Sequence, residues 1–191
     1  MAAIYYLPEE QRQQMLTILG NLKQVPQIPK PVAPPPKESG FVFGTASLNE
    51  LKGVDKRLVD CCHLALKYST QDFCVYDGIR TYKEQEQHVK NGTSKTMASK
   101  HLEGLAVDLV PWTDDGPKWD WELIYPIVVA MDRAASELGI AGKITWGGVW
   151  DKKLSDYSSE SSADYKKAVE EYCQRHAGSD FIDGPHFEIL K

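Results

Sequence analysis

Residues 99–108 read SKHLEGLAVD, a histidine and an aspartate seven positions apart across a glycine and a short apolar run. Gly104 permits a turn, and the residues after it alternate as a strand does. On that strand Ala106, Asp108 and Val110 share one face, while Leu105, Val107 and Leu109 share the other. Asp108 thus interrupts a run that otherwise calls for burial. A buried carboxylate is costly unless it is paired. A bound cation would remove that cost, and so would an arginine or a set of backbone amides.

The same conflict recurs downstream. The stretch DGPHFEI, residues 183–189, puts His186 and Glu188 on one face of an apolar strand, three and five positions after Asp183. A catalytic zinc site needs three protein ligands and an open position for water, whose pKa the metal lowers toward about 7. A ligand from this stretch would complete a His, Asp, His set. Such a site also needs a carboxylate to carry the water's proton to the leaving amine, and Asp183 and Glu188 both qualify by position. The helical motif H-E-x-x-H does not occur, which excludes the common metalloprotease helix. The other histidines, His63, His88 and His176, fall within or at the ends of helical patterns beside charged residues. They read as surface or capping groups.

Working outward, helical spacing runs through 47–69, with Leu51, Val54, Leu58, Val59, Cys62 and Leu66 as the apolar stripe. Further helices are expected over 82–92, 121–140 and 162–176. Strands are expected at 72–81, 104–112 (stopping at Pro111), 143–150 and 184–190. Helices and strands mix without a strict βαβ repeat, so the expected class is α+β. Upstream, residues 8–24 carry a loose helical stripe. Residues 24–40 hold six prolines, the composition of a semi-rigid extended linker. A boundary is expected near 40, with an N-terminal helix and Pro-rich linker over 1–40 and the main domain over 41–191.

Bulk properties narrow the function. Hydrophobic content of 42% and charged content of 26% are globular values, and a net charge of −5 argues against general nucleic-acid binding. There is no apolar run long enough to span a bilayer. The N-terminus lacks the basic and apolar regions of a secretory signal, so the chain is expected to begin in a cytoplasm. Cys61, Cys62, Cys74 and Cys173 form no C-x-x-C pair and read as reduced, mostly buried thiols.

Three separated segments, SKHLEGLAVDLVP, WGGVW and DGPHFEI, together resemble the zinc peptidases of the VanY and D-Ala-D-Ala carboxypeptidase superfamily. The nearest branch is the phage endolysins that act as L-alanyl-D-glutamate endopeptidases. The family pattern S-x-H-x-x-G-x-A-x-D, a Trp-Gly turn and D-x-x-H is matched at Ser99, His101, Gly104, Ala106, Asp108, Trp146, Gly147, Gly148, Asp183 and His186. Upstream, DGIRTYKEQEQHVKNGTSKT resembles the family's G-x-R-[ST] segment followed by a Gln-containing helix. The resemblance spans about 45–191.

The resemblance implies a small antiparallel sheet with flanking helices, in one zinc-peptidase domain of the hedgehog and D,D-peptidase type. It implies Zn2+ on His101, Asp108 and His186, with Asp183 as the catalytic carboxylate and Glu188 in a supporting role. Arg80 would hold a substrate carboxylate or the oxyanion. Ser99, Trp146 and Trp150 would contact substrate or line the cleft. The implied reaction is amide hydrolysis in the peptidoglycan stem peptide, at L-Ala–D-Glu, by a monomer that waits in the host cytoplasm until it is released to the wall. Rival readings are a D,D-carboxypeptidase removing terminal D-Ala and a non-catalytic, zinc-bearing wall-binding module. Residues 151–182 are longer than in compact relatives and are expected to form a Ser-rich loop followed by a helix.

Overall fold

The computed structural model describes residues 38–157, 161–176 and 181–191. The expected helix over 8–24 and the proline-rich linker up to residue 37 lie outside the described residues.

Among the described residues, five α-helices and six strands follow one another: α1 (Thr45–Glu50), α2 (Lys56–Tyr68), β1 (Phe73–Asp77), α3 (Tyr82–Lys90), β2 (Ala106–Thr113), β3 (Gly116–Pro117), α4 (Trp121–Glu137), β4 (Ile144–Trp146), β5 (Val149–Lys153), α5 (Ser162–Arg175) and β6 (His186–Ile189). The main sheet runs in the order β1-β2-β6-β4-β5, with every neighbouring pair antiparallel, and β3 pairs with β2. This is the expected α+β class.

Alternation sorts the two faces. Val107, Leu109, Phe187 and Ile189 join the apolar core with α2, α4 and α5, whereas Ala106 and Val110 stay out of it. The opposite face, carrying Asp108, His186 and Glu188, turns to an open cleft. Burial of apolar side chains on the helix side is the main stabilising force. It pins the register too, since a one-residue slip of β2 or β6 would drive Asp108 or His186 into the core.

Two boundaries differ from the sequence reading. The helical stripe over 47–69 is two helices. Gly53 adopts φ +85°, which breaks the first, and the Asp55 carboxylate accepts the Arg57 backbone N–H to cap the second. The strand expected to stop at Pro111 continues to Thr113. Pro111 is tolerated because the next residue carries the pairing, Trp112 N–H donating to the Asp72 carbonyl at 2.8 Å. Cys61 and Cys62 are buried thiols as expected, but Cys74 is half-buried and Cys173 is exposed, on the solvent side of α5. No helix among the described residues is long and apolar enough to cross a membrane.

Candidate metal centre and cleft

His101 sits on a 3-10 turn, Lys100–Glu103. Ser99 caps that turn, its hydroxyl accepting the His101 backbone N–H at 3.3 Å. Gly104 ends the turn at φ +66°, where a Cβ would lie 2.4 Å from the Gly53 carbonyl oxygen. Only glycine fits there, so this residue fixes the step from turn to strand.

Asp108 and His186 are cross-strand partners in register on β2 and β6. Pairing brings side chains 78 residues apart onto one spot, and the turn lays His101 over it. His101 Nε2 lies 3.2 Å from His186 Nδ1 and 3.3 Å from Asp108 Oδ1, and His186 Nδ1 lies 3.2 Å from the same oxygen. Among the described residues, these three form a group able to hold a metal ion. The spacing suits zinc: bonds of about 2.0–2.1 Å at tetrahedral angles require donors about 3.3 Å apart.

The outer contacts select the atoms that face inward. His101 Nδ1 is 2.6 Å from the Gly78 carbonyl and donates to it, leaving Nε2 with its lone pair. His186 Nε2 faces Glu188 Oε2 at 3.4 Å, which leaves Nδ1 free to bind. Asp108 Oδ2 accepts from Arg80 Nη2 at 2.7 Å, so only Oδ1 is presented. Each candidate ligand therefore has a partner that sets its orientation, as ligating groups in metal sites do.

Electrostatics agree. Burial would raise the Asp108 pKa, but hydrogen bonds from His101 and His186 hold it well below the usual carboxylate range. Burial would lower the His186 pKa, yet Asp108 and Glu188 push it up to about 9. The pocket favours added positive charge strongly enough to reverse the penalty of burial, which is the environment a divalent cation needs.

Asp183 lines the same cleft. Burial first, then repulsion by Asp108, pushes its carboxyl up to about 6, against the attraction of His186, His101 and Arg80. A carboxyl near that value can both take and return a proton.

The segment that carries Asp183 is held from below by the Trp-Gly-Gly turn between β4 and β5. Gly147 N–H donates to the His186 carbonyl at 2.8 Å, and its carbonyl accepts from Asp183 N–H at 2.9 Å. A Cβ on Gly147 would stand 2.4 Å from the Asp183 backbone carbonyl oxygen. Gly147→Ala is therefore expected to cost about 1–3 kcal/mol and to displace Asp183. A thermal melt and an activity assay check this. An unchanged melting temperature with full activity would contradict it.

Trp146 is not in the cleft, contrary to expectation. It is 0% exposed, packs edge-on against Trp121, Tyr125 and Tyr165, and donates Nε1–H to the Gly184 carbonyl at 2.6 Å. It supports the Asp183–His186 turn from the core. Trp150 does line the cleft, its ring centroid 5.2 Å from that of His186. Ser99 lines it too, with its hydroxyl engaged as the turn cap.

Arg80 is bound on all three nitrogens: Nε to Asp77 at 2.7 Å, Nη1 to Gln85 at 3.2 Å and Nη2 to Asp108. These bonds favour positioning of Asp108 over a direct grip on substrate. Sequence reading missed Asp77 and Gln85. Gln85 is fully buried and also donates to Ser94 Oγ and the Thr96 carbonyl, tying the cleft wall to Arg80. A glutamine on the inward face of an amphipathic helix is the signal that could have exposed it. His88, read as a surface histidine, lines the cleft 3.6 Å from Asp77.

The chain is similar to known proteins. A family model described as phage L-alanyl-D-glutamate peptidase matches residues 39–190. The chain is 35% identical over 124 residues to the L-alanyl-D-glutamate peptidase of Escherichia phage T5, covering 63% of this chain and 88% of that protein. It also resembles the crystal structure of the Serratia marcescens L-Ala D-Glu endopeptidase ChiX, with a TM-score of 0.56 and 33% identity, covering 78% of this chain and 90% of that one. With its three motifs brought to one cleft and the match running almost from end to end of the described residues, the chain belongs to the phage L-alanyl-D-glutamate peptidase family.

Proposed function

We propose that this protein is a zinc-dependent peptidoglycan endopeptidase that hydrolyses the L-Ala–D-Glu amide of the stem peptide and serves host lysis. The observation that carries the reading is the convergence of His101 Nε2, Asp108 Oδ1 and His186 Nδ1, beside a carboxyl whose proton affinity suits transfer near neutrality.

His101, Asp108 and His186 would hold Zn2+, which supplies Lewis acidity to the scissile carbonyl and acidifies the attacking water. Asp183 takes the proton of that water on its carboxylate and gives it to the departing amine nitrogen, so it ends each cycle as it began. Arg80 keeps Asp108 turned so that one oxygen faces the metal. Glu188 holds the His186 ring by its far nitrogen. Trp150 shields the site from bulk water on the β5 side. Nothing in this scheme requires a second subunit, so we read the enzyme as a monomer. The cytoplasmic wait before release to the wall is part of the same proposal.

Glu188→Gln removes the charge behind His186 while keeping an acceptor. Zinc affinity is expected to fall about 10–100-fold, read by competition with a coloured chelator. Unchanged affinity would contradict the supporting role.

Digestion of purified murein followed by mass spectrometry tests the function. A new D-Glu amino terminus is expected. Free D-Ala instead would identify a D,D-carboxypeptidase, and no product from zinc-loaded protein would leave a binding module.

A further inference from the structure

The cleft is larger than the scissile dipeptide needs. Its volume of about 990 Å³ lies at the top of the range for pockets that enclose drug-sized ligands. Strand order gives it a direction. Asp108 and His186 of the metal triad stand on the central strands β2 and β6, with His101 on the turn before β2, while β1 and β5 form opposite edges of the sheet. The two rims therefore flank the reacting bond on opposite sides.

Their chemistries differ. On the β1 side, Tyr76 and Trp119 line the cleft with their rings 4.9 Å apart at 82°. They are 53% and 57% exposed, unusual for two large aromatics that touch each other. Tyr76 falls at the irregularity where β1 shifts register between Val75 and Asp77. The edge-to-face contact holds each ring against the other, so a ligand meets a surface already in place. On the β5 side, Phe181 sits under the Lys95 ammonium, 5.7 Å from the ring centroid, and its carbonyl accepts from Trp150 Nε1.

The substrate is asymmetric in the same sense. On the acyl side of the L-Ala–D-Glu bond, alanine hangs from the lactyl ether of an amino sugar, a ring with an apolar C–H face and no charge. On the amine side, D-Glu and the residues after it bring free carboxylates. Resting on the endopeptidase reading, we infer that Tyr76 and Trp119 form a subsite for the amino sugar, with the stem peptide crossing the sheet from the β1 rim toward Lys95. The face of one ring, braced edge-on by the other, offers an apolar shelf to the sugar's C–H face, and the ammonium suits the anionic end.

The test compares two substrates, a muramyl stem peptide and the same peptide without the sugar, with wild type, Trp119→Ala, Tyr76→Ala and Trp119→Phe. Wild type is expected to favour the glycosylated substrate in kcat/KM by about tenfold, the scale of one good aromatic contact. Both alanine variants are expected to reduce that ratio toward one through KM, and Trp119→Phe to keep most of it. The subsite is overturned if wild type shows no preference, if the preference survives in both alanine variants, or if those variants lose equally on both substrates, which would place peptide on the shelf. Cleavage of neither substrate by wild type would instead sink the endopeptidase reading itself.

Discussion

Asp183→Ala binds one zinc ion as wild type does and loses murein hydrolysis by about 10²–10⁴-fold, the contribution of a positioned acid–base group. The expectation rests on where Asp183 stands. Its backbone is anchored to Gly147 and its carboxyl shares the cleft with the three ligands without belonging to their set. Removing the carboxylate leaves the donor atoms and their outer partners untouched. It deletes the group that carries a proton from water to amine. Metal content by atomic absorption and murein clearing by turbidity separate the two properties. Normal clearing by the zinc-loaded variant would remove Asp183 from the mechanism. Loss of zinc would recast it as a ligand.

His186→Ala abolishes both properties. Two ligands remain, on β2 and the preceding turn, and the Asp108 carboxylate loses one of the hydrogen bonds that make its burial tolerable. Zinc affinity should fall by more than the roughly 10–100-fold that loss of an outer partner costs, and murein clearing should drop to background. A chelator brings wild type to the same state, and added Zn2+ restores it, since the fold supplies the site. Because metal binds the folded form, zinc should raise the melting temperature of wild type and of Asp183→Ala but not of His186→Ala. Full activity of chelated wild-type protein would refute metal dependence.

The site was legible because its residues break local rules. Asp108 and His186 interrupt apolar strands, and Gly104 precedes one, so pattern and chemistry pointed to the same positions. Motif resemblance then supplied the pairing of distant segments, which alternation cannot give. What escaped the sequence was set by long-range contact. Trp146 looks the same on paper whether it faces core or cleft; the close approach of Gly184 and the surrounding rings decides it. Arg80 was found, but its task depends on Asp77, three positions before it, and on Gln85 of α3, whose side chains face it only once the chain turns from β1 into α3. The break between α1 and α2 hides in a continuous apolar stripe because Gly53 and Asp55 act through backbone geometry, not hydrophobicity.

Strand β6 is the latest of the six to emerge during synthesis, yet it lies between β2 and β4 at the middle of the sheet. Until it arrives, the halves on either side have no ladder joining them, and pairing across that many residues is intrinsically slow. A nascent or truncated product thus lacks both its keystone and His186. One short segment thus completes two things at once, the ladder that joins the halves of the sheet and the third donor of the candidate metal set.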